Sequence, residues 1–585
     1  MLVLDREIVD RLQRRLAWLY GEALLPRLMN RLKLLVGRYG VGSCPEERCM
    51  ERLWDQTDAL LITYGDMLEK EGEAPLQTLL AFAENHLGDA VSGIHVLPFF
   101  PYSSDDGFSI IDYRRVDPRL GDWHDIEAIG GQYKLMADLV LNHVSAKSDW
   151  FRSYSNGIAP ARHYFIEMDP ASDLASVVRP RTSPLLKPVQ TPSGEKHLWA
   201  TFSHDQIDLD FSNPDVLFEF LDILLLYVHR GARIIRLDAI AYLWKEPGTG
   251  CIHLPQTHQV VKLLRDVLEL LAPGTVLITE TNVPHAENLS YFGAGDEAHM
   301  VYQFSLPPLL LHALHSGQAR YLNEWVGSLE PPPAGCTYFN FTASHDGIGL
   351  RPLEGLLPQS EIDGLIAGMV QKGGLVSTRT NPDGSQTPYE LNITYFDALG
   401  FMGQKDSDLC IARFLASQTL MLSFQGVPGI YFNSLIAAPN DYVGLRETER
   451  PRAINRQKWA HSELEYLLQD KVSPASRVFG EYVRRLQLRR QQQAFHPDGP
   501  QELLDLSDRL FGIKRLSPDR TQELWVVANL TIEPVNLHPE ALDAKFRHRH
   551  WLELIQGWSA GGADIDDLRL APYQTLWLVG GAVES

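Results

Sequence analysis

Apolar positions near the start of the chain recur at helical spacing. Between residues 5 and 38, Leu12, Leu16, Leu19 and then Leu24, Leu28, Leu32, Leu35 are set among many arginines, which predicts a helical N-terminal extension. The pattern then changes to short apolar runs that end in polar or charged residues, each followed by a helix-like stretch. These runs are LLITYGD (60–66), GIHVLPF (93–99), LMADLVLNH (135–143), ARIIRLDA (232–239), TVLITET (275–281), VYQFSL (301–306), YFNFTASHD (338–346) and GIYF (429–432). Runs that are apolar on both faces suit parallel strands buried between layers. Eight of them alternating with helices over about 380 residues predict an α/β fold of the (β/α)8 TIM-barrel type. An open doubly wound sheet is the competitor, but no G-x-G-x-x-G follows the first run, so dinucleotide binding lacks its main support.

Two connections are too long for plain strand-to-helix loops, and each predicts a small subdomain over the strand C-terminal ends. They cover about 145–230, after the third strand, and 347–410, after the seventh. Beyond a helix-rich segment near 461–495, LFGIKRL, ELWVVANLT, HWLELI and YQTLWLVG read as short strands of an all-β C-terminal domain. The expected organisation is a helical extension at 1–57, a catalytic barrel at 58–495 carrying both insertions, and a β domain at 496–585. The extension has two readings, covering the barrel base or joining two copies as a homodimer.

Composition narrows the class. With 585 residues, 44% of them hydrophobic and 22% charged, the chain has the balance of an ordinary globular protein with a large core. Its net charge of −21 repels polyphosphate and argues against nonspecific nucleic-acid binding, leaving room for a local basic pocket that holds one small anion. The sequence has no run of about 18 apolar residues, and MLVLDREIVDRLQRR lacks the basic-then-apolar order of a secretory signal, so no membrane partner is expected. Cys44, Cys49, Cys251, Cys336 and Cys410 are too few and too scattered for a disulfide scaffold. A soluble cytoplasmic protein is the expectation.

In a barrel, polar groups at strand C-terminal ends face a common mouth. The third strand ends in Asn142-His143, the fourth in Arg236-Leu237-Asp238, the fifth in Thr279-Glu280 and the seventh in Ser344-His345-Asp346. Carboxylates gathered this way suit chemistry at an acetal carbon, where one attacks or stabilises positive charge while a protonated carboxyl delivers its proton to the departing oxygen. Arg236 points the same way as Asp238 and favours its ionised form, whereas Glu280, desolvated beside other carboxylates, has its pKa raised and is the natural acid. Ordinary solvated strand ends or internal ion pairs are the alternative for each residue alone. A metal site is a further rival, but no tight i, i+3 or H-x-H grouping supports one, and no cofactor is implied.

The segments DLVLNH (138–143), ARIIRLDAI (232–240), ITET (278–281) and TASHD (342–346), in that order at strand ends, resemble the four signature regions of the α-amylase superfamily, glycoside hydrolase family 13. The resemblance implies that Asp238 is the nucleophile, Glu280 the general acid/base and Asp346 the carboxylate that stabilises the transition state. It also implies that Arg236, His143 and His345 bind the donor glucosyl unit. HVLPFFPYSSDDGFSIIDYRRVDPRLGDW (95–123), Arg179-Pro180-Arg181, IRLDAIAYLWKEPGTGCIHLPQTH (235–258) and RAINR (452–456) are similar to the sucrose phosphorylase subfamily. By that likeness Asp105 and Arg452 close the donor pocket and Phe108 and Phe202 form its apolar wall. Arg181 and Tyr389 fall in loops that meet phosphate or acceptor.

The extension, GIGLRPLEGLLP (347–358) and the 373–393 loop depart from sucrose phosphorylases and resemble glucosylglycerate phosphorylases, whose acceptor is an anionic three-carbon acid. Arg351, Lys372 and Arg379 beside Arg181 suit a carboxylate or phosphate, with solvated surface charge as the plain alternative. The implied activity is phosphorolysis of an α-glucoside by inorganic phosphate with retention. Sucrose or sucrose 6'-phosphate phosphorolysis, hydrolysis or transglucosidation, and a non-catalytic sugar-binding barrel are the alternatives.

Overall fold

The computed structural model describes residues 5–39, 52–381, 383–401 and 408–581. Cys44 and Cys49 lie outside the described residues; Cys251, Cys336 and Cys410 are buried.

Eight parallel strands close into a barrel: β1 (Leu60–Thr63), β2 (Gly93–Val96), β3 (Lys134–Val140), β4 (Ala232–Asp238), β5 (Val276–Thr279), β6 (Met300–Tyr302), β7 (Thr337–Phe341) and β8 (Val427–Tyr431). Each of the eight apolar runs supplies one strand. Nearly every strand residue is buried, because the inner face fills the barrel and the outer face meets the surrounding helices. Closure is made by β1, where Leu60 is in register with both Gly93 of β2 and Gly429 of β8. Gly429 has to be small there, since a Cβ would stand 2.4 Å from the Phe339 ring.

The N-terminal pattern forms two amphipathic helices, α1 (Arg6–Tyr20) and α2 (Leu25–Tyr39). Asp5 caps α1 by accepting from the Glu7 and Ile8 N–H groups, and Gly21, at a φ of 83°, ends it. The apolar stripe buries Leu12, Leu16, Leu28 and Leu32. Neither helix covers the barrel base. They lie along its flank, α1 against the helix Pro255–Leu271 and α2 against Pro214–His229. Arginines of the extension find aspartates on those helices: Arg11 and Arg15 both pair with Asp266, Arg31 with Asp215 and Arg38 with Asp222.

Both long connections are folded. After β3, residues His143–Ser145 pair antiparallel with Gln206–Asp208, and a hairpin forms from Leu186–Thr191 and Gly194–Trp199. After β7, Ile348–Gly349, Gln386–Asn392 and Leu375–Thr380 make a three-stranded sheet beside the helix Gln359–Gln371. The C-terminal part holds a six-stranded sheet, Gln501–Leu503 to Thr575–Gly580, with a core of Leu510, Trp525, Trp551 and Leu578. It is tied to the barrel where Trp577 Nε1 and Arg515 Nη1 donate to Ser423. Among the described residues, no helix is long and apolar enough to cross a membrane.

Candidate active site

The strand register brings the separated acids together. Val140 of β3 is level with Asp238 of β4, and Leu237 is level with Thr279 of β5, so Asp238 and Glu280 emerge side by side on neighbouring strands. Directly after Asp238 the backbone turns left-handed at Ala239 (φ 52°), which aims the Ala239 N–H at Glu280 Oε2, 3.1 Å away. These residues and Asp346 line one cavity, open to solvent at its mouth. Of the other expected residues, Asp105, Phe108, His143, Arg181, Phe202, His345, Tyr389 and Arg452 line it too. Arg236 does not line it and stands one layer below.

That lower layer sets the charge state. Arg236 Nη1 donates to Asp238 Oδ1 at 2.7 Å and also pairs with Asp138 on β3, whose other oxygen is 2.6 Å from His95 Nε2. Burial would raise the Asp138 carboxyl, but His95 and Arg236 hold it down at about 2. For Asp238 the balance differs from the sequence expectation. Burial outweighs the guanidinium, and with the negative charge of Glu280 nearby it pushes the Asp238 carboxyl well above the ordinary range. Burial raises Glu280 as well, with Asp346 adding to it against Arg236. Two desolvated carboxyls side by side hold a proton between them at a pH where isolated carboxylates have lost theirs. Arg236 bonds Asp238 but not Glu280, so the shared proton belongs on Glu280.

Asp346 is the opposite case. Burial alone would raise it, yet the guanidinium groups of Arg452 and Arg456 hold it far below the ordinary carboxylate range. Arg452 Nη1 pairs with Asp346 Oδ1, and its remaining nitrogens grip Glu390. His345 stacks on Phe108, ring centroids 4.7 Å apart, and burial keeps both His345 and His143 neutral by lowering their pKa values. A neutral imidazole can both donate and accept a hydrogen bond. His143 Nε2 lies 2.9 Å from Phe108 O and 3.2 Å from Gln206 Nε2, while Gln206 also reaches Asp105 at 3.3 Å. Asp105 and Asp106 are both held left-handed, at φ 53° and 47°, and Arg456 Nη1 secures the turn through Asp106 Oδ2 at 2.5 Å.

The outer wall is aromatic and basic. Phe202 packs edge-on against Tyr242, and Arg181 sits 5.8 Å over the Phe202 ring and 5.7 Å over that of Tyr389. Arg379 and Arg351 lie close by around Glu354. Lys372 does not join them: its Nζ donates to the Gly400 carbonyl, and burial, with Arg413 nearby, lowers its pKa to about 8. Sequence reasoning missed Gln206, Tyr242, Asn282, Arg456 and Glu390. Arg456 ends the same RAINR segment that holds Arg452, and its spacing was the available signal. Gln206 reaches the site only through pairing of 143–145 with 206–208, which no local pattern encodes. Among the described residues, no three His, Cys, Asp or Glu side chains are grouped to hold a metal ion.

Residues 86–326 match the alpha-amylase catalytic domain. The chain is 45% identical to a glucosylglycerate phosphorylase of Spirochaeta thermophila, covering 98% of this chain and 99% of that one. It is 44% identical to a glucosylglycerate phosphorylase of Allomeiothermus silvanus, covering 99% and 100%. In structure it is similar to sucrose 6F-phosphate phosphorylase from Thermoanaerobacter thermosaccharolyticum, with a TM-score of 0.71 at 24% identity over 82% of this chain and 95% of that one, a likeness of fold. By its barrel and by its full-length similarity to phosphorylases, the chain belongs to the alpha-amylase family, in its phosphorylase branch.

Proposed function

We infer that this protein is a retaining glucosylglycerate phosphorylase, converting 2-O-α-glucosylglycerate and inorganic phosphate to α-glucose 1-phosphate and glycerate. The observation that carries the reading is the meeting of Asp238, Glu280 and Asp346 in one cavity with Arg181 at its outer wall, on a chain similar along its length to enzymes of that name. Asp238 attacks the anomeric carbon, the glucosidic C–O bond breaks, and Glu280 gives its proton to the departing glycerate oxygen. A phosphate oxygen then attacks the same carbon, the ester bond to Asp238 breaks, and Glu280 takes the phosphate proton. Asp346, kept anionic by Arg452 and Arg456, stabilises the positive charge that develops on the ring in both steps.

His143, His345, Asp105 and Arg452 hold the glucosyl hydroxyls, Phe108 and Phe202 form the apolar wall, and Arg181 and Tyr389 meet phosphate or acceptor. Arg236 acts from below, as the hydrogen-bond partner of Asp238. The two inserted subdomains exclude water, which otherwise competes for the glucosyl-enzyme. A cytoplasmic setting belongs to the same reading, because the reaction consumes free phosphate and the scattered cysteines suit a reducing compartment.

The test supplies glucose 1-phosphate with glycerate, fructose, fructose 6-phosphate or glycerol and measures phosphate release. Strong turnover with glycerate alone is expected. Preference for a fructose acceptor, or release of free glucose in place of exchange, overturns the reading.

A further inference from the structure

Among the described residues, every other buried arginine makes hydrogen bonds. Arg489 donates to the carbonyls of Leu422, Gln56 and Phe495, Arg515 to those of Ser423 and His496, and Arg413 to those of Leu399 and Gly400. Arg351 is the exception. It is 8% exposed, its guanidinium makes no hydrogen bond, and its Nε is buried without a hydrogen-bond partner. Its nearest carboxylates, Glu287 and Glu354, stand at 3.9 Å, beyond hydrogen-bond reach, and are themselves 45% and 46% exposed. A largely buried guanidinium held only by two long ion pairs to half-exposed carboxylates is loosely neutralised and can take a better-matched anion.

Its place in the fold suggests what it serves. Leu350, the residue before it, donates its N–H to the carbonyl of the cavity-lining Tyr389 at 3.0 Å. Gly349 abuts the cavity as well, since a Cβ there would stand 2.5 Å from Asn282 Oδ1, an oxygen that is buried and without a partner. Arg379 comes from the facing strand, opposite Thr387, with its Nε also buried and unpartnered and one long bond, 3.3 Å, to Glu354. The fields of Arg351, Arg181 and Arg379 converge on the hydroxyl of Tyr242 in the cavity wall.

We propose that Arg351 and Arg379, which stand beside rather than among the residues lining the cavity, form a carboxylate-binding subsite at its acceptor end, which takes the carboxylate of the α-hydroxy acid that leaves or accepts the glucosyl group. The assignment rests on the function inferred above and says which side chains make the acceptor an acid. Planar guanidinium groups match a carboxylate in two-pronged fashion. Glu354, the one carboxylate that both approach, is half in solvent and so a weak competitor.

The experiment compares Arg351→Gln, Arg379→Gln and Arg351→Lys with the full-length parent in the synthetic direction, at saturating glucose 1-phosphate. The acceptors are glycerate and its uncharged counterpart glycerol. Loss of a charge-assisted contact predicts that KM for glycerate rises about tenfold or more in each Gln variant. The weak kcat/KM that the parent shows for glycerol should stay unchanged, and Arg351→Lys should recover part of the loss. Because the Arg351 guanidinium has no hydrogen bond to lose, only two long ion pairs to half-exposed carboxylates, Tm of Arg351→Gln should hold or rise. The subsite is overturned if the parent uses glycerate and the Gln variants keep its KM, if glycerol and glycerate suffer together, if only KM for phosphate rises, or if Tm of Arg351→Gln falls. Failure of the parent itself to use glycerate overturns the inferred function first and the subsite with it.

Discussion

Glu390 holds Arg452 with two parallel hydrogen bonds, Nε to Oε1 at 3.0 Å and Nη2 to Oε2 at 2.7 Å, and the one remaining arm of Arg452 pairs with Asp346. Glu390 is 1% exposed and follows Tyr389 on the strand Gln386–Asn392. One strand of the inserted sheet thus presents a tyrosine to the outer cavity and anchors the arginine that keeps Asp346 charged. The outer cavity wall at Tyr389 and the Asp346 carboxylate are joined mechanically through a single ion-pair chain.

Glu390→Gln keeps the shape but replaces one acceptor by a donor facing a guanidinium. Displacing Arg452 by a fraction of the site's width should lower kcat about 10²-fold, with a smaller change in KM for phosphate. Steady-state kinetics of the purified variant checks this; an unchanged kcat would remove Glu390 from the positioning chain.

Asp238→Asn and Glu280→Gln should each lower turnover by about 10³-fold or more, as groups acting on the transition state do. Both should also raise Tm at neutral pH. The two carboxyls have raised pKa values when folded, so the native state holds more protons than the unfolded chain and loses stability as pH rises above the ordinary carboxylate range. Neutral replacements remove that loss. Calorimetry should find the gain at pH 7 and little gain at a pH low enough to protonate the carboxyls in both states.

The pH profile of kcat/KM for phosphorolysis should fall on the alkaline side with the deprotonation of Glu280, at a midpoint above the value of about 4.3 typical of a free glutamate. Asp346 works in the other direction. With its pKa depressed, it stays ionised through the working range, and the stability it contributes is lost only as pH falls through its folded value. A midpoint at the ordinary glutamate value would contradict the proton placement on Glu280.

The double variant Arg11→Ala, Arg15→Ala leaves Asp266, whose side chain is 3% exposed, without its cations from α1. Stranding a buried carboxylate should cost about 3 kcal/mol or more in urea-unfolding measurements. Since α1 lies on the flank against Pro255–Leu271, away from the cavity, kcat should stay within about twofold of the parent, a factor set by RT.

The barrel was legible in the chain because each strand of a parallel barrel is buried on both faces and must be written as an apolar run, one run per strand. The polar residues closing those runs could be read in the same way, since a strand end in a barrel has one direction to face. Thus Asp238, Glu280 and His345-Asp346 stood out before their distances were known. The sequence also carried the amphipathic stripe of α1 and α2, but not the surface it meets, because a stripe states only that something covers it.

Tertiary structure alone decided the charge states and the second layer. Asp238 looked like a carboxylate kept ionised by a neighbouring arginine; burial raises Asp238 and Glu280 together, and the bond from Arg236 decides which of the two keeps the proton. Lys372 and Arg351 were equivalent as basic loop residues, and only the fold sent one to a backbone carbonyl and left the guanidinium of the other largely buried without a hydrogen bond. Gln206, Glu390 and Arg456 entered through pairings between segments distant in the chain. Local patterns record which way a side chain must face; what it meets there is a property of the assembled molecule, where burial and neighbouring charge are summed in space.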